Sequence, residues 1–92
     1  MYFDLEYLYN IFNNYKFILF NKQLDKDKLK LEFCRRDNMI DKFSIIFQQN
    51  LIETIIPLKL NNKSFKTKSY DFNSTINYLI FHIENYSYNK YI

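Results

Sequence analysis

Asp4 stands before a stretch in which Leu5, Leu8, Phe12 and Tyr15 fall on one stripe at helical spacing, with Ile11 at its edge and Glu6, Asn10 and Asn14 outside it. Asp is a good N-cap because its carboxylate accepts from backbone N–H groups left free in the first turn, so residues 4–14 read as a helix. Asn13 and Asn14 are poor helix formers, and the apolar run Phe17 to Phe20 spreads around a helical wheel instead of continuing the stripe. A strand over about residues 15–21 fits that run better. The segment NKQLDKDK, residues 21–28, has no apolar period and much charge, and reads as a turn.

Beyond it the period changes to two. Leu29, Leu31 and Phe33 alternate with Lys30, Glu32 and Cys34, the pattern of a strand with one covered face, which puts Cys34 on the outer face. The run RDNMID, residues 36–41, reads as a second turn. Phe43, Ile45 and Phe47 then alternate with Ser44, Ile46 and Gln48 in a third strand. In residues 51–60, Ile52, Thr54, Ile56, Leu58 and Leu60 share a face, while Pro57 lacks a ladder donor and calls for an edge position or a bulge. Asn61-Asn62 suits a two-residue hairpin turn, since Asn tolerates the left-handed conformation. Residues 63–70 are then either a fifth strand or an irregular basic loop. Asp71 or Asn73 caps a last helix whose inner stripe is Phe72, Ile76, Leu79, Ile80 and Ile83.

This order predicts an α+β fold: an antiparallel sheet of four or five strands in a meander, flanked by N- and C-terminal helices packed on one face. The other face, with Ile46, Ile55 and charged residues, is solvated but sticky in places. Residues 1–92 suffice for one compact domain and leave no room for a second layer of function.

Composition changes how the surface is read. Gly, Ala, Val and Trp are absent, while Asn, Ile, Lys, Leu, Phe and Tyr dominate. Codon bias toward A and T explains much of this, so bias competes with function as the source of every Tyr, Asn and Lys. The same bias in a short chain suits a phage or other mobile element. With 48% hydrophobic and 25% charged residues the chain is too apolar to be disordered. The acidic start MYFDLEYLYN has no basic leader and the longest apolar runs are far short of a membrane span, so the expected location is cytoplasmic, the host cytoplasm if viral, with no membrane partner. Sequons at Asn62, Asn73 and Asn85 are what an Asn-rich chain produces by chance. Cys34 is the single cysteine, which excludes an internal disulfide and a Cys-based zinc site.

Candidate chemistry is sparse, and no catalytic residue, cofactor or metal site is expected. His82 is the sole imidazole, and its helical neighbours Tyr78, Asn85 and Tyr86 include no carboxylate to form a catalytic pair. Glu53, Asp71 and the start of the first helix with Asp4 and Glu6 lie apart on separate elements. Phosphate-binding loops need Gly, of which there is none, and DKDK lacks calcium-loop spacing.

Two surface patterns remain. On the last helix Tyr78, Phe81, His82, Asn85, Tyr88 and Asn89 lie opposite the apolar stripe, and between Asp71 and Asn89 the sole further charge is Glu84. A solvated helix face normally carries charge, whereas rings with Asn are typical of protein interfaces. Bias alone does not readily exclude Lys, itself AT-rich, from such a run. The face is expected to bind a protein partner, such as a host nucleoprotein complex, to pair with a second copy of the chain, or to pack under another element. The second pattern is Lys59, Lys63, Phe65, Lys66, Lys68 and Tyr70, cations interleaved with rings as in single-stranded nucleic-acid sites. The net charge of +3 is small for that role. The expectation is a non-enzymatic protein-binding module, a phage or mobile-element inhibitor of the anti-CRISPR or other anti-defence type that works by blocking; the alternative is a nucleic-acid-binding protein using residues 59–70.

Overall fold

The computed structural model describes residues 4–57 and 64–86, and within them an α+β fold. The elements run α1 (Leu5–Asn14), β1 (Phe17–Asp25), β2 (Lys28–Arg35), β3 (Asn38–Gln48), β4 (Leu51–Pro57), β5 (Ser64–Ser69) and α2 (Phe72–Tyr86). The strands form one antiparallel sheet in sequence order, β1-β2-β3-β4-β5. The expected meander is therefore present, and residues 64–69 are a fifth strand, not a loop. The Asn61-Asn62 turn, with Leu58 and Leu60, lies outside the described residues.

Local chemistry sets the ends of α1. Asp4 Oδ1 accepts from Tyr7 N at 3.0 Å, the N-cap bond that the sequence predicts. At the other end Lys16 takes φ 68, the left-handed conformation usually given to Gly after a helix. Its N–H reaches the Asn13 carbonyl at 2.9 Å, and its own carbonyl accepts from Arg36 N at 2.8 Å, tying the end of α1 to the β2–β3 turn. In a chain without Gly, Lys26 and Gln49 also take positive φ, at the β1–β2 and β3–β4 turns.

Leu8 and Phe12 of α1 and Ile76, Leu79 and Ile83 of α2 form one buried cluster with Phe17, Leu31, Phe33, Phe43, Ile45, Phe47, Ile52 and Ile56 of the sheet. Both helices thus cover the same face, α1 over β1 and α2 over β4 and β5. The alternation of β2, β3 and β4 decides which face that is. Phe12 is the hinge of the packing, its ring 5.2 Å from Phe33 and 4.9 Å from Phe43 in tilted and edge-on contacts that aromatic quadrupoles favour.

Four expectations are corrected. First, β1 starts at Phe17 and continues to Asp25, where residues 21–28 were expected to turn; the chain turns only at Lys26-Asp27. Backbone pairing from Asn21↔Glu32 to Asp25↔Lys28 sustains the strand where its side chains are mostly exposed and show no apolar period. Second, the turn expected over 36–41 is confined to Arg36-Asp37, and Asp41 is a fully buried strand residue. Its Oδ2 lies 3.6 Å from Arg35 Nε, and the guanidinium lies over the Phe17 ring at 5.6 Å. Third, Cys34 is on the outer face by register, between Ile18 and Lys42, but it is buried. A small side chain on an inner strand is shaded by longer cross-strand neighbours. Fourth, Pro57 needs no edge strand or bulge: it ends β4, paired with Ser64 and beyond the last β3 pair, Ser44↔Ile55, so no β3 ladder bond is lost.

Candidate interface on the C-terminal helix

Asp71 fixes where α2 begins. Its Oδ2 accepts from Ser74 N at 3.0 Å and from Ser74 Oγ at 2.6 Å, which hold the carboxyl below its ordinary range. From that start the 3.6-residue period sends Ile76, Leu79 and Ile83 into the core, with Phe72 and Ile80 partly buried beside them. The opposite ridge, Asn73, Ser74, Asn77, Phe81 and Glu84, is exposed. Phe81 stands out on it, a large apolar ring 52% exposed among uncharged neighbours and one acid.

The structure brings Tyr78, Phe81 and His82 together. The His82 ring meets Tyr78 edge-on at 4.6 Å between centroids and Phe81 edge-on at 6.1 Å. Burial holds the His82 imidazole below its ordinary value, favouring the neutral ring. The rings form a connected cluster, but not the uniformly outward face expected: Tyr78 is half-buried and packs against the core, and His82 is half-buried beside it. The solvent face of α2 is turned toward Asn77 and Glu84 because the Tyr78 side adjoins β4 and β5. The Asn85 side chain, Tyr88 and Asn89 lie outside the described residues.

The basic pattern is divided by the strand it falls on. Lys66 and Lys68 are exposed, and their partners Ile55 and Glu53 place them on the open face of the sheet. Tyr70 is exposed just beyond β5. The Phe65 side chain, Lys59 and Lys63 lie outside the described residues. Register adds Lys28 and Lys30 of β2 to the same face, and also acids: Lys30 lies 3.7 Å from Glu32, and Lys68 is opposite Glu53. Ile46 is buried and Ile55 half-buried among these charges, so the open face is of mixed sign with an apolar centre.

Edge strand β1 holds apolar exposure that the sequence reading did not assign to a site: Ile18, Phe20 and Leu24 are all open to solvent. The signal was there in the unbroken run Phe17 to Phe20, because a strand apolar at consecutive positions shows apolar groups on both faces. Register shifts between Leu19 and Asn21, leaving Phe20 in a bulge.

Among the described residues no group of three or more His, Cys, Asp or Glu is placed to hold a metal ion, and no helix is long and apolar enough to cross a membrane. No protein-family model matches the chain, and comparison with curated proteins and with solved structures finds no match.

Proposed function

We infer that this chain is a small non-enzymatic protein-binding module that acts by occupying a surface of its partner. One observation carries the reading: α2 presents Phe81 to solvent, backed by the His82 and Tyr78 rings, on a ridge with almost no charge. Rings already held by packing lose little entropy on binding, and aromatic anchors at an interface centre supply most of its energy. The AT-biased composition favours a concrete form of this role, a phage or mobile-element inhibitor of a host machine, of the anti-CRISPR or other anti-defence type, working in the host cytoplasm. Such an inhibitor needs only a folded surface that blocks an essential site.

A second reading draws on Lys66, Lys68 and the exposed Tyr70, which sit together at the β5 edge as cations and a ring suited to single-stranded nucleic acid. It is weaker because the neighbouring acids Glu53 and Glu32 reduce the field that phosphates would meet.

The test is capture from host lysate by the tagged chain and by its Phe81→Ser variant, each with and without nuclease, read by mass spectrometry. The protein-binding reading expects a defined host protein that survives nuclease and is lost with Phe81→Ser. Capture that disappears with nuclease and ignores Phe81 would replace it with the nucleic-acid reading.

A further inference from the structure

Between the first turns of α2 and strands β4 and β5 lies a cleft of about 190 Å³, lined by the hydroxyl residues Thr54, Thr67, Ser69, Ser74, Thr75 and Tyr78. Thr54, Thr67 and Thr75 are all the threonines in the chain, and three separate elements deliver them to this one place.

Three of the hydroxyls have their protons committed elsewhere. Ser74 Oγ donates to Asp71 Oδ2 at 2.6 Å, Thr75 Oγ1 donates to the Asp71 carbonyl at 2.9 Å, and Ser69 Oγ donates to that carbonyl at 3.2 Å. An ionised carboxylate and a carbonyl have no proton to give, so the direction of these bonds is fixed. What the three hydroxyls retain is lone pairs, although Ser69 Oγ already accepts from Asp71 N at 3.0 Å. Thr54 differs: it is 1% exposed, and its Oγ1 has no hydrogen-bond partner among the described residues. A buried hydroxyl left so is costly unless something enters to pair with it.

We propose that this cleft binds an uncharged ligand the size of one substituted ring that carries N–H donors, of the class of aromatic primary amides and amino-substituted heterocycles. The volume is somewhat above the roughly 150 Å³ of an apolar cavity that accepts benzene, so one ring with a small substituent fits. Ile52 and the Tyr78 side chain supply apolar wall for the ring, and the acceptor-rich hydroxyls favour a donor on it. Charge is disfavoured, because Lys68 borders the cleft from a strand position whose side chain lies on the open face, Asp71 sits behind the hydroxyl wall, and burying an ion beside Thr54 has no compensation.

Because the threonines all line the cleft, a full chain labelled with ¹³C at threonine methyl groups reports on this site alone. Titrating benzamide should give saturable shifts at Thr54 and at Thr67 or Thr75, with toluene and benzoate binding at least several-fold more weakly. Thr54→Val should raise the thermal midpoint of the free protein, since it removes the unpaired hydroxyl at constant shape, yet weaken benzamide several-fold; Thr67→Val is a second variant with the same expected loss. Phe81→Ser should leave benzamide binding unchanged, which separates this site from the interface on α2. Absence of saturable shifts, equal binding of toluene, or full benzamide affinity in both valine variants would each overturn the proposal.

Discussion

At the scale of single residues, the Arg35 and Asp41 pair is the clearest stability determinant that is not apolar. Asp41 is fully buried and Arg35 half-buried, at the end of the β2–β3 hairpin where the sheet meets the Phe17 ring. Removing one member of a buried pair takes away charge compensation from the other, which typically costs about 3–5 kcal/mol, whereas replacing both by apolar groups is often neutral or better. Arg35→Ala should therefore lower the urea midpoint sharply, and Arg35→Met with Asp41→Leu should restore most of it; a double variant as unstable as the single one would show that the pair organises the hairpin in some further way. His82 makes a different prediction. Its imidazole titrates below the ordinary 6.5 when folded because burial disfavours its charge, so the unfolded chain takes up the proton first. The stability contributed by the neutral ring is fully present above about pH 6.5 and is lost as pH falls from there toward the lower folded value. Denaturant midpoints measured from about pH 7.5 to 5.5 should fall, and His82→Gln should flatten that part of the profile. An unchanged slope in the variant would mean that another group titrates there.

At the scale of elements, α2 has one side that holds the fold and one that is exposed, and substitutions separate them. Leu79 is in the core, and Leu79→Ala should cost about 2–5 kcal/mol through lost transfer energy and the cavity left behind. Phe81→Ser, on the exposed ridge, should change stability by less than about 0.5 kcal/mol while abolishing partner capture. Equal loss of stability in the two variants, measured by chemical denaturation, would make Phe81 a core residue and end the interface reading. The two sides of α2 were legible in its sequence because Ile76, Leu79 and Ile83 recur at helical spacing. The finer rotation was not: Tyr78 is drawn inward by β4 and β5, which contact the helix only in the assembled fold. The same distinction runs through the sheet. Period-two runs such as Leu29, Leu31, Phe33 mark strands with one covered face, and these were readable; the extension of β1 through Asp25 rests on backbone bonds that leave no side-chain period. Asp41 reads as a turn residue because Asp is common in turns, and nothing local reveals that Arg35 waits across the hairpin. The threonine cleft was invisible for a related reason, since Thr54, Thr67 and Thr75 become neighbours only when three elements meet.

At the scale of the whole molecule, both helices lie on one side of a single sheet, and among the described residues no helix covers the other face. The edges are guarded differently: β1 by the break in register at Phe20 and by Lys22, and β5 by its short length and by Lys66 and Lys68. Across the open face lysines alternate with acids, with Lys30 near Glu32 and Lys68 opposite Glu53, so the net charge of +3 is not gathered into one strongly positive stripe. That arrangement keeps the face soluble around Ile46 and predicts weak attraction for a polyanion. If Lys66 and Lys68 do contact the phosphates of single-stranded DNA, replacing both by Gln should reduce the slope of log K against log salt by about 0.7 for each lysine, or roughly 1.4 in total. Binding of a protein partner through Phe81 should be nearly unaffected by the same pair of substitutions, and its salt dependence should be shallow because its anchors are rings. The measurement is fluorescence anisotropy of labelled oligonucleotide and of partner across a salt series, with the wild-type chain and the double variant. A steep wild-type slope on DNA that collapses in the variant, together with partner binding that ignores Phe81, would move the functional surface from α2 to the open face of the sheet.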